Sequence, residues 1–208
     1  MEQPPLASAY RIETERLIIR CYEPSDAQGM HEAIIRSTEH LLPWLPWVQH
    51  EPKTLEDRLG LIRLFRGQFD LGLDYTFGIF EKEKGAYIGG TGLHTRIGKN
   101  AREIGYWIDV NHIGKGYATE AVTGLLRTAF DIEHLSRIEI RCDPVNTRSR
   151  HVPEKLGFRM EGIIQRTLYD NLVDTMIWAM SKEDYAASPM RRILVKAFDL
   201  AGNRLLLR

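Results

Sequence analysis

A glycine–lysine–glycine loop between a strand and a long amphipathic helix constrains the fold of this chain more than any other feature. Residues 102–110 form a β-rich run, and Gly114, Lys115 and Gly116 follow it. Glycines let the backbone turn tightly, and the free amides of a helix N-terminus attract an anion. The helix itself is read from apolar residues that recur on one face, namely Ala118, Ala121, Val122, Leu125, Leu126, Ala129 and Phe130. The unit predicts either a simple tight turn or a phosphate-binding loop.

Two common nucleotide-binding loops do not match this stretch. A Walker loop needs the string Gly-x-x-x-x-Gly-Lys-Ser/Thr, which does not occur in the chain. A dinucleotide fingerprint needs a third glycine, and Thr119 stands at that position. The helix also follows strands that read as antiparallel rather than as the start of a βαβ unit. Neither class of nucleotide site is therefore expected.

Composition and charge narrow the class of protein. The chain has 208 residues, enough for one core and short for two, and 43% of them are apolar. Lys plus Arg and Asp plus Glu number 28 each, so no overall field favours nucleic acid or a membrane surface. No stretch approaches the ~20 apolar residues of a membrane helix, and no leader-like segment opens the chain. We expect a cytoplasmic protein that binds neither nucleic acid nor membrane.

The cysteines and histidines show no pattern of a disulfide or a metal site. Cys21 and Cys142 lie far apart, each in an apolar, strand-like run, and the seven histidines are scattered. Cys142 is interpreted as a buried strand residue rather than a nucleophile. We therefore expect no metal in this protein.

Strand-like and helical segments define one domain. Residues 1–13 read as a loose arm, and residues 41–48, which contain two prolines, as a loop or broken helical turn. Strands are predicted at about 16–22, 75–80, 87–93, 102–110, 137–142, 160–169 and 172–180. Helices are predicted at about 25–38, 54–72, 118–130 and 147–156, the last ending at Gly157. The domain is expected to span residues 1–182, and the extension 183–208 stays open between a hairpin, a helix and disorder.

An ordered set of motifs gives the chain a resemblance to a known family. Asn146 and Ser149 follow the strand that ends at Cys142. The other pieces, in chain order, are Glu13–Leu17, Leu42–Leu45, Ile104–Trp107, Gly114–Ala121, Glu154–Phe158 and Asp174. Each piece alone is unspecific. Together, over about residues 13–181, they resemble the GCN5-related N-acetyltransferase (GNAT) superfamily, and within it the RimJ/RimL-type protein acetyltransferases.

The resemblance implies a fold and a cofactor. The fold is a single α/β (α+β) domain with a mixed, highly bent sheet of about seven strands and flanking helices. A V-shaped splay separates the central strand from the strand that ends at Cys142. Acetyl-CoA would lie in this V, because splayed strands leave backbone groups free to bond the amides of its pantetheine arm.

The resemblance also assigns the cofactor contacts. Main-chain groups of Trp107, Ile108, Asp109 and Val110 would bind pantetheine. The pyrophosphate would lie against Gly114, Lys115, Gly116, Tyr117, Ala118 and Thr119. Asn146 and Ser149 would lie near the thioester, and Lys155 near the nucleotide end. One position departs from the family pattern, because Asn111 stands where the loop usually begins with Gln or Arg.

Acetylation of an amine needs a base and an acid. A free α-amino group has a pKa of about 7.7–8.0 and is mostly protonated at neutral pH. Glu103, just before the cleft, is the candidate base through a water molecule, or else an ordinary strand carboxylate. Ser149 resembles the residue that protonates the departing thiolate, or else it is a first-turn helix residue. Tyr169 is the rival acid, or else a core aromatic.

The acceptor is the least constrained part of the prediction. Trp44 and Trp47 line the acceptor entrance or pack between the first two helices. Arginines at 148, 150 and 166 attract an acidic peptide or form a solvated face. The leading hypothesis is direct attack by the N-terminal α-amine of a protein, such as a ribosomal protein, in a ternary complex. The alternatives are a small amine, such as a polyamine or an amine antibiotic, and a non-catalytic acyl-CoA sensor; a homodimer is expected by family analogy.

Overall fold

A ten-stranded sheet forms the centre of the molecule. The computed structural model of the chain describes residues 9–168 and 171–207. In chain order the strands are β1 (Arg11–Glu13), β2 (Leu17–Cys21), β3 (Tyr75–Glu81), β4 (Tyr87–His94), β5 (Ala101–Ile108), β6 (Arg137–Cys142), β7 (Arg159–Leu168), β8 (Asn171–Ser181), β9 (Lys196–Phe198) and β10 (Arg204–Leu205). They lie in the order β10-β9-β1-β2-β3-β4-β5-β6-β8-β7. Every described pairing is antiparallel except that of β5 with β6.

Five α-helices occur in the described residues. They are α1 (Ala27–Leu41), α2 (Leu55–Asp70), α3 (Tyr117–Asp131), α4 (Thr147–Leu156) and α5 (Lys182–Ala187). Thr54 begins α2 through a capping box, in which its hydroxyl accepts from the Asp57 amide. Gly157 ends α4 in the left-handed conformation, with φ 78°. The first four helices confirm the predicted segments. Each has an apolar face, and the side chains of Thr54 and Asn146 cap α2 and α4.

The helices cover both faces of the sheet. Gly124 of α3 lies against the sheet so closely that a Cβ there would sit 3.2 Å from Ile12 and 3.3 Å from Ile19. On the opposite face, Met30 of α1 and Ile62 of α2 pack in one cluster with Phe80 and Tyr87. Side chains of adjacent strand residues point to opposite faces, so each strand contributes to both clusters.

One edge of the sheet differs from the prediction. The loose arm is wrong for residues 11–13, because Ile12 is fully buried and pairs with Ile19 on one side and Ala197 on the other. The sheet has ten strands rather than about seven, and the additional ones, β1, β9 and β10, have three residues or fewer. Segments this short carry no readable period. Their place in the sheet is decided by the strands beside them.

The C-terminal segment forms a short helix and then a hairpin. After α5, β9 and β10 pair with each other, and β9 also pairs with β1. Of the alternatives open for residues 183–208, the hairpin is therefore the one that forms over 196–205. The domain boundary after residue 182 stays a prediction.

The splay between β5 and β6 confirms the predicted V. The two strands pair only from Ala101 to Ile104, against Arg137 to Ile140. Beyond that point β6 continues to pair with β8, whereas β5 keeps only β4. Gly105, Tyr106 and Trp107 are consequently partly exposed, although β5 lies in the middle of the sheet.

Within the residues that the structure describes, no helix is long and apolar enough to span a bilayer.

Candidate active site

The loop before α3 presents free amides to the end of the V. Gly114 and Gly116 have φ of 75° and 80°, the left-handed region that favours glycine. The Glu120 amide bonds the Gly116 carbonyl at 3.0 Å. The amides of residues 117–119 therefore precede the hydrogen bonds of the helix and can bind an anion at its positive end. We call residues 114–120 the cradle.

Arg16, the residue just before β2, forms hydrogen bonds with both ends of the cradle. Its Nε donates to Glu120 Oε2 at 2.6 Å, its amide to Glu120 Oε1 at 2.8 Å, and its Nη1 to the Lys115 carbonyl at 3.0 Å. The guanidinium lies 4.7 Å from the centre of the Tyr117 ring. A bare carboxylate at Glu120 would repel a pyrophosphate at the same helix end, and Arg16 neutralises it. No role for Arg16 was predicted, because 104 residues separate it from Glu120.

A buried carboxylate fixes the start of the loop. Asp109 is fully buried, accepts from Arg36 Nη2 at 2.6 Å and accepts from the Asn111 amide at 3.0 Å. The Asn111 residue itself is exposed, at the position where the family pattern has Gln or Arg. The path of the chain into the cradle thus depends on Asp109 and not on a side-chain contact from Asn111.

Two of the amides predicted to bind pantetheine already have protein partners. The Asp109 amide donates to the Ile88 carbonyl at 2.8 Å, and the Val110 amide donates to Ser37 Oγ at 3.0 Å. Trp107 and Ile108 pair with β4 on one side, and among the described residues they have no strand partner on the side of β6. The open edge of β5 between residues 105 and 108 is therefore the part of the predicted set that faces the V.

Tyr106 joins β5 to α4 across the V. Its hydroxyl donates to the Ser149 carbonyl at 2.9 Å and lies 3.2 Å from Ser149 Oγ. Asn146 caps α4, and its Oδ1 accepts from the Ser149 amide at 3.1 Å. Burial raises the pKa of Tyr106 well above its ordinary value, despite an opposing hydrogen bond with Ser149, so its phenol stays protonated. The sequence indicates Tyr106 only as part of the Ile104–Trp107 motif, and its contact with Ser149 appears only in the structure.

Cys142 lies beside this group as a buried thiol. It is 7% exposed and ends β6 opposite Met176. Burial raises the pKa of its thiol, against smaller opposing hydrogen bonds from Ser149 and Trp178. A thiol that stays protonated is a weak nucleophile, in keeping with the predicted strand role.

Glu103 lies on the other face of β5. It is 3% exposed, and Arg96 donates to both of its oxygens, at 2.9 and 2.5 Å. Burial alone would raise the pKa of the Glu103 carboxyl, but hydrogen bonds and charge from Arg96, with the charges of Arg141 and Arg166, hold it below its ordinary value. Side chains at odd and even positions of a strand point to opposite faces. The predicted base and the predicted acid, Ser149, therefore lie on opposite sides of the V.

The remaining predicted residues are less closely tied to the V. Lys155 is exposed in the last turn of α4. Trp44 and Trp47 are partly buried, and the Trp47 ring meets Trp107 edge-on at 6.3 Å. Tyr169 lies outside the described residues. The roles given to these four residues stay predictions.

Comparison with known proteins identifies the family of this arrangement. A family model described as an acetyltransferase (GNAT) domain matches residues 16–159. The chain is 32% identical over 180 residues to YdaF of Bacillus subtilis (strain 168), covering 82% of this chain and 94% of that protein. It is also 32% identical over 158 residues to the [ribosomal protein uS5]-alanine N-acetyltransferase of Escherichia coli (strain K12), covering 73% of this chain and 79% of that protein.

Solved structures agree with the sequence matches. Mycobacterium smegmatis RimJ in complex with CoA-disulfide aligns with a TM-score of 0.73 at 26% identity, over 89% of this chain and 91% of that chain. A GNAT-family acetyltransferase from Bacillus anthracis aligns with a TM-score of 0.70 at 27% identity, over 83% of this chain and 99% of that chain.

Proposed function

The chain belongs to the GNAT acetyltransferase family, and we propose that it acetylates the N-terminal α-amine of a protein, in particular of a ribosomal protein. As a member of this family it is an acetyl-CoA-dependent N-acetyltransferase. We further propose that the acetyl group is transferred directly to this amine, with the residues named below.

The acceptor is inferred mainly from the relative that acts on ribosomal protein uS5. That relative is named for acetylation of an alanine, a residue whose side chain contains no amine. An alanine of a protein can therefore be N-acetylated only on its α-nitrogen. The 32% identity over 73% of this chain supports the same acceptor chemistry here.

The shape of the V supports an extended acceptor. Strand β5 is partly exposed from Gly105 to Trp107. The side chain of Arg96, which pairs with Glu103 of this strand, is 55% exposed. A peptide can bring its terminus to such an opening and continue outward from it. The arginines of this face, Arg96, Arg141 and Arg166, suit the carboxylates of a peptide better than the cationic chain of a polyamine.

The transfer is proposed to run by direct attack in a ternary complex. The amine nitrogen forms a bond to the thioester carbon, the carbon–sulfur bond breaks, and coenzyme A leaves as a thiolate. Cys142 is a buried thiol with a raised pKa, which argues against an acetyl-cysteine intermediate. Bound acetyl-CoA supplies the activated acetyl group, and the cradle with the open edge of β5 would hold it.

The proton for the thiolate is assigned to the pair of Ser149 and Tyr106. Their hydroxyl oxygens lie 3.2 Å apart, and the Tyr106 hydroxyl donates to the Ser149 carbonyl, so Tyr106 would position the Ser149 hydroxyl that supplies the proton. Asn146 would fix Ser149 by capping α4. Glu103 is proposed to lie beside the acceptor amine, and Lys155 is proposed to lie near the nucleotide end of acetyl-CoA.

One acceptor panel tests the proposed function. Release of free thiol from acetyl-CoA is followed with ribosomal-protein N-terminal peptides, polyamines and aminoglycosides, and mass spectrometry locates the acetyl group. The matched control is each peptide with a blocked N-terminus and a free internal lysine. We expect turnover only with free N-termini. Turnover with small amines alone would support the small-molecule alternative, and saturable acetyl-CoA binding without any transfer would support the sensor.

The proposal includes a homodimer in the cytoplasm, where ribosomal proteins occur. Sedimentation should then give twice the chain mass of 24.0 kDa. A mass of one chain at all concentrations would contradict the dimer.

A further inference from the structure

A histidine lies directly over the point where the V opens. His94 ends β4 and pairs with Glu103 of β5, so both side chains lie on the same face. Its ring turns back over the strands, because a Cβ at Gly92 would lie 2.6 Å from His94 Nε2 and one at Gly105 3.5 Å from it. Gly105 is the first residue of β5 beyond the pairing with β6. Nε2 of His94 is therefore placed at the apex of the V, where strand pairing stops.

A carboxylate sets the tautomer of this histidine. His94 Nδ1 lies 2.7 Å from Asp74 Oδ2, and the other oxygen of Asp74 accepts from the Thr95 amide at 3.0 Å. Burial tends to raise the pKa of Asp74, but hydrogen bonds and charge from His94 outweigh it, so the carboxyl is ionised. An ionised carboxylate only accepts, so Nδ1 carries the hydrogen of this bond. The lone pair of the neutral ring is then on Nε2, which has no hydrogen-bond partner among the described residues.

Glu103, the base predicted from the sequence, has no oxygen without a hydrogen-bond donor, unlike Nε2 of His94. Both of its oxygens accept from Arg96, and Arg141 lies 3.7 Å from one of them. A carboxylate held by two cations is a weak proton acceptor. An imidazole titrates nearest to neutral pH of the ordinary side chains, which suits proton transfer from an α-ammonium group.

We propose that His94, oriented by Asp74, is the general base for the acceptor amine. The inference rests on the proposed function of this V as the site of acetyl transfer. Nε2 of His94 takes one proton from the ammonium group, and the freed nitrogen attacks the thioester carbon. As the carbon–sulfur bond breaks, the nitrogen loses its second proton, and this proton reaches the departing thiolate through the Ser149 hydroxyl, so coenzyme A leaves as the thiol. The imidazolium then returns its proton to water.

Charged groups from several elements surround His94. Asp74 comes from the loop before β3, and Arg96 and Glu103 come from the hairpin of β4 and β5. Arg141 of β6 and Arg166 of β7 face Glu103 from the far side of the V. Two carboxylates and three guanidinium groups therefore surround the point where Nε2 would take the proton.

A pair of asparagine variants tests the base. His94→Asn keeps an amide nitrogen at the position of Nδ1, so it preserves the donor to Asp74 and removes only the basic Nε2. The matched control is His134→Asn, an exposed histidine with φ 53° between α3 and β6, a conformation that asparagine accepts. We expect His94→Asn to lower kcat/KM for a peptide at least about 100-fold at pH 7. Both variants should bind acetyl-CoA as the wild type does.

The pH dependence separates a base from a structural residue. Above pH ~9 the α-amine, with a pKa of about 7.7–8.0, loses its proton to water, so the deficit of His94→Asn should shrink. Glu103→Gln should show a deficit that is equal at pH 7 and pH 9. A constant deficit in His94→Asn, or a pH-dependent one in Glu103→Gln instead, would overturn the assignment. If the wild type acetylates only small amines, the proposed function fails, and the same comparison on those amines still decides the role of His94.

The tautomer gives a readout that does not depend on activity. Nitrogen NMR of the wild-type protein should show His94 with its hydrogen on Nδ1, and Asp74→Asn should abolish that preference. Asp74 is a positioning residue in this scheme, so Asp74→Asn should also reproduce the pH-dependent deficit at smaller size. A wild-type His94 with its hydrogen on Nε2 would refute the proposal.

Discussion

The cradle and the acceptor side of the V are built in opposite ways. The cradle is a continuous stretch of seven residues whose binding groups are main-chain amides at a helix end. The acceptor side, by contrast, combines side chains of several elements, with His94, Glu103 and Arg141 on three different strands. A site made from main chain tolerates most side-chain changes and fails when the backbone changes. A site made from side chains fails when one ionisable group is lost.

The largest effect is expected where the backbone of the cradle itself is altered. Gly116→Val places a β-branched side chain at φ 80°, with its Cβ 3.6 Å from Arg16 Nη2. Valine rarely adopts this conformation, so the backbone of the cradle should change and the acetyl-CoA Kd should rise at least about 100-fold. The control is Gly85→Val, in the β3–β4 turn at φ 67° with nothing within 4 Å of a Cβ. It carries the same backbone strain and should leave the Kd unchanged. Calorimetric titration measures both, and an unchanged Kd in Gly116→Val would remove this loop from the cofactor site.

The next largest effect is expected from the contact between the Arg16 side chain and the cradle. Arg16→Gln leaves Glu120 unneutralised at the helix end, so the acetyl-CoA Kd should rise about tenfold. Arg16→Gln with Glu120→Gln should recover part of that loss, because the exposed negative charge is gone. Arg66→Gln, which breaks a surface pair with Asp70, is the control. A double variant as weak as Arg16→Gln would show that Arg16 acts by packing instead.

A smaller effect, on kcat, is expected from a substitution inside the V. Tyr106→Phe removes the hydroxyl that meets Ser149, and kcat should fall about fivefold to tenfold if the pair supplies the thiolate proton. The acetyl-CoA Kd should stay as it is. Tyr22→Phe deletes another buried hydroxyl, which meets Tyr87 at 3.0 Å, and should leave kcat unchanged. Equal kcat values for Tyr106→Phe and the wild type would leave Ser149 as a helix residue only.

The smallest effect on the cradle and on the acceptor side is expected from a substitution of Glu133, which lies just beyond the C-terminal end of α3. Burial raises the pKa of its carboxyl to about 7, with Arg102 opposing the rise. Because the folded value lies above the unfolded value of 4.5, this group stabilises the protein below pH ~4.5 and loses that contribution as pH rises through 7. Glu133→Gln should therefore raise the free energy of unfolding at pH 8 by about 2 kcal/mol. Denaturant titration measures this, and acetyl transfer should not change; a less stable variant would contradict the sign.

The difference between local and long-range contacts explains which predictions from the sequence are confirmed. Helices α2, α3 and α4 are confirmed because their apolar spacing and caps, at Thr54, Gly116 and Asn146, are local in the sequence. The V was expected from the family resemblance and is confirmed by the end of pairing after Ile104. Strand β1 was missed, since three residues carry no period and its partner β9 is remote in the chain. The hairpin of β9 and β10 was one of the open alternatives for the C-terminal segment.

The side-chain contacts of the site, in contrast, join residues that are remote in the sequence. Arg16 with Glu120, Tyr106 with Ser149, and His94 with Asp74 join residues 104, 43 and 20 positions apart. No local spacing signals such pairs, because their geometry depends on how the strands are ordered in the sheet.

The sequence by itself determined that a glycine loop opens an amphipathic helix, and therefore that an anion can be held there by main chain. The requirement is local, since glycine conformation and helix-end amides depend on a few consecutive residues. Only the tertiary structure decided which ionisable groups face the apex of the V. Sheet order and strand register bring Asp74, His94 and Glu103 together, and burial with neighbouring charge then determines which of them stays ionised and which can accept a proton.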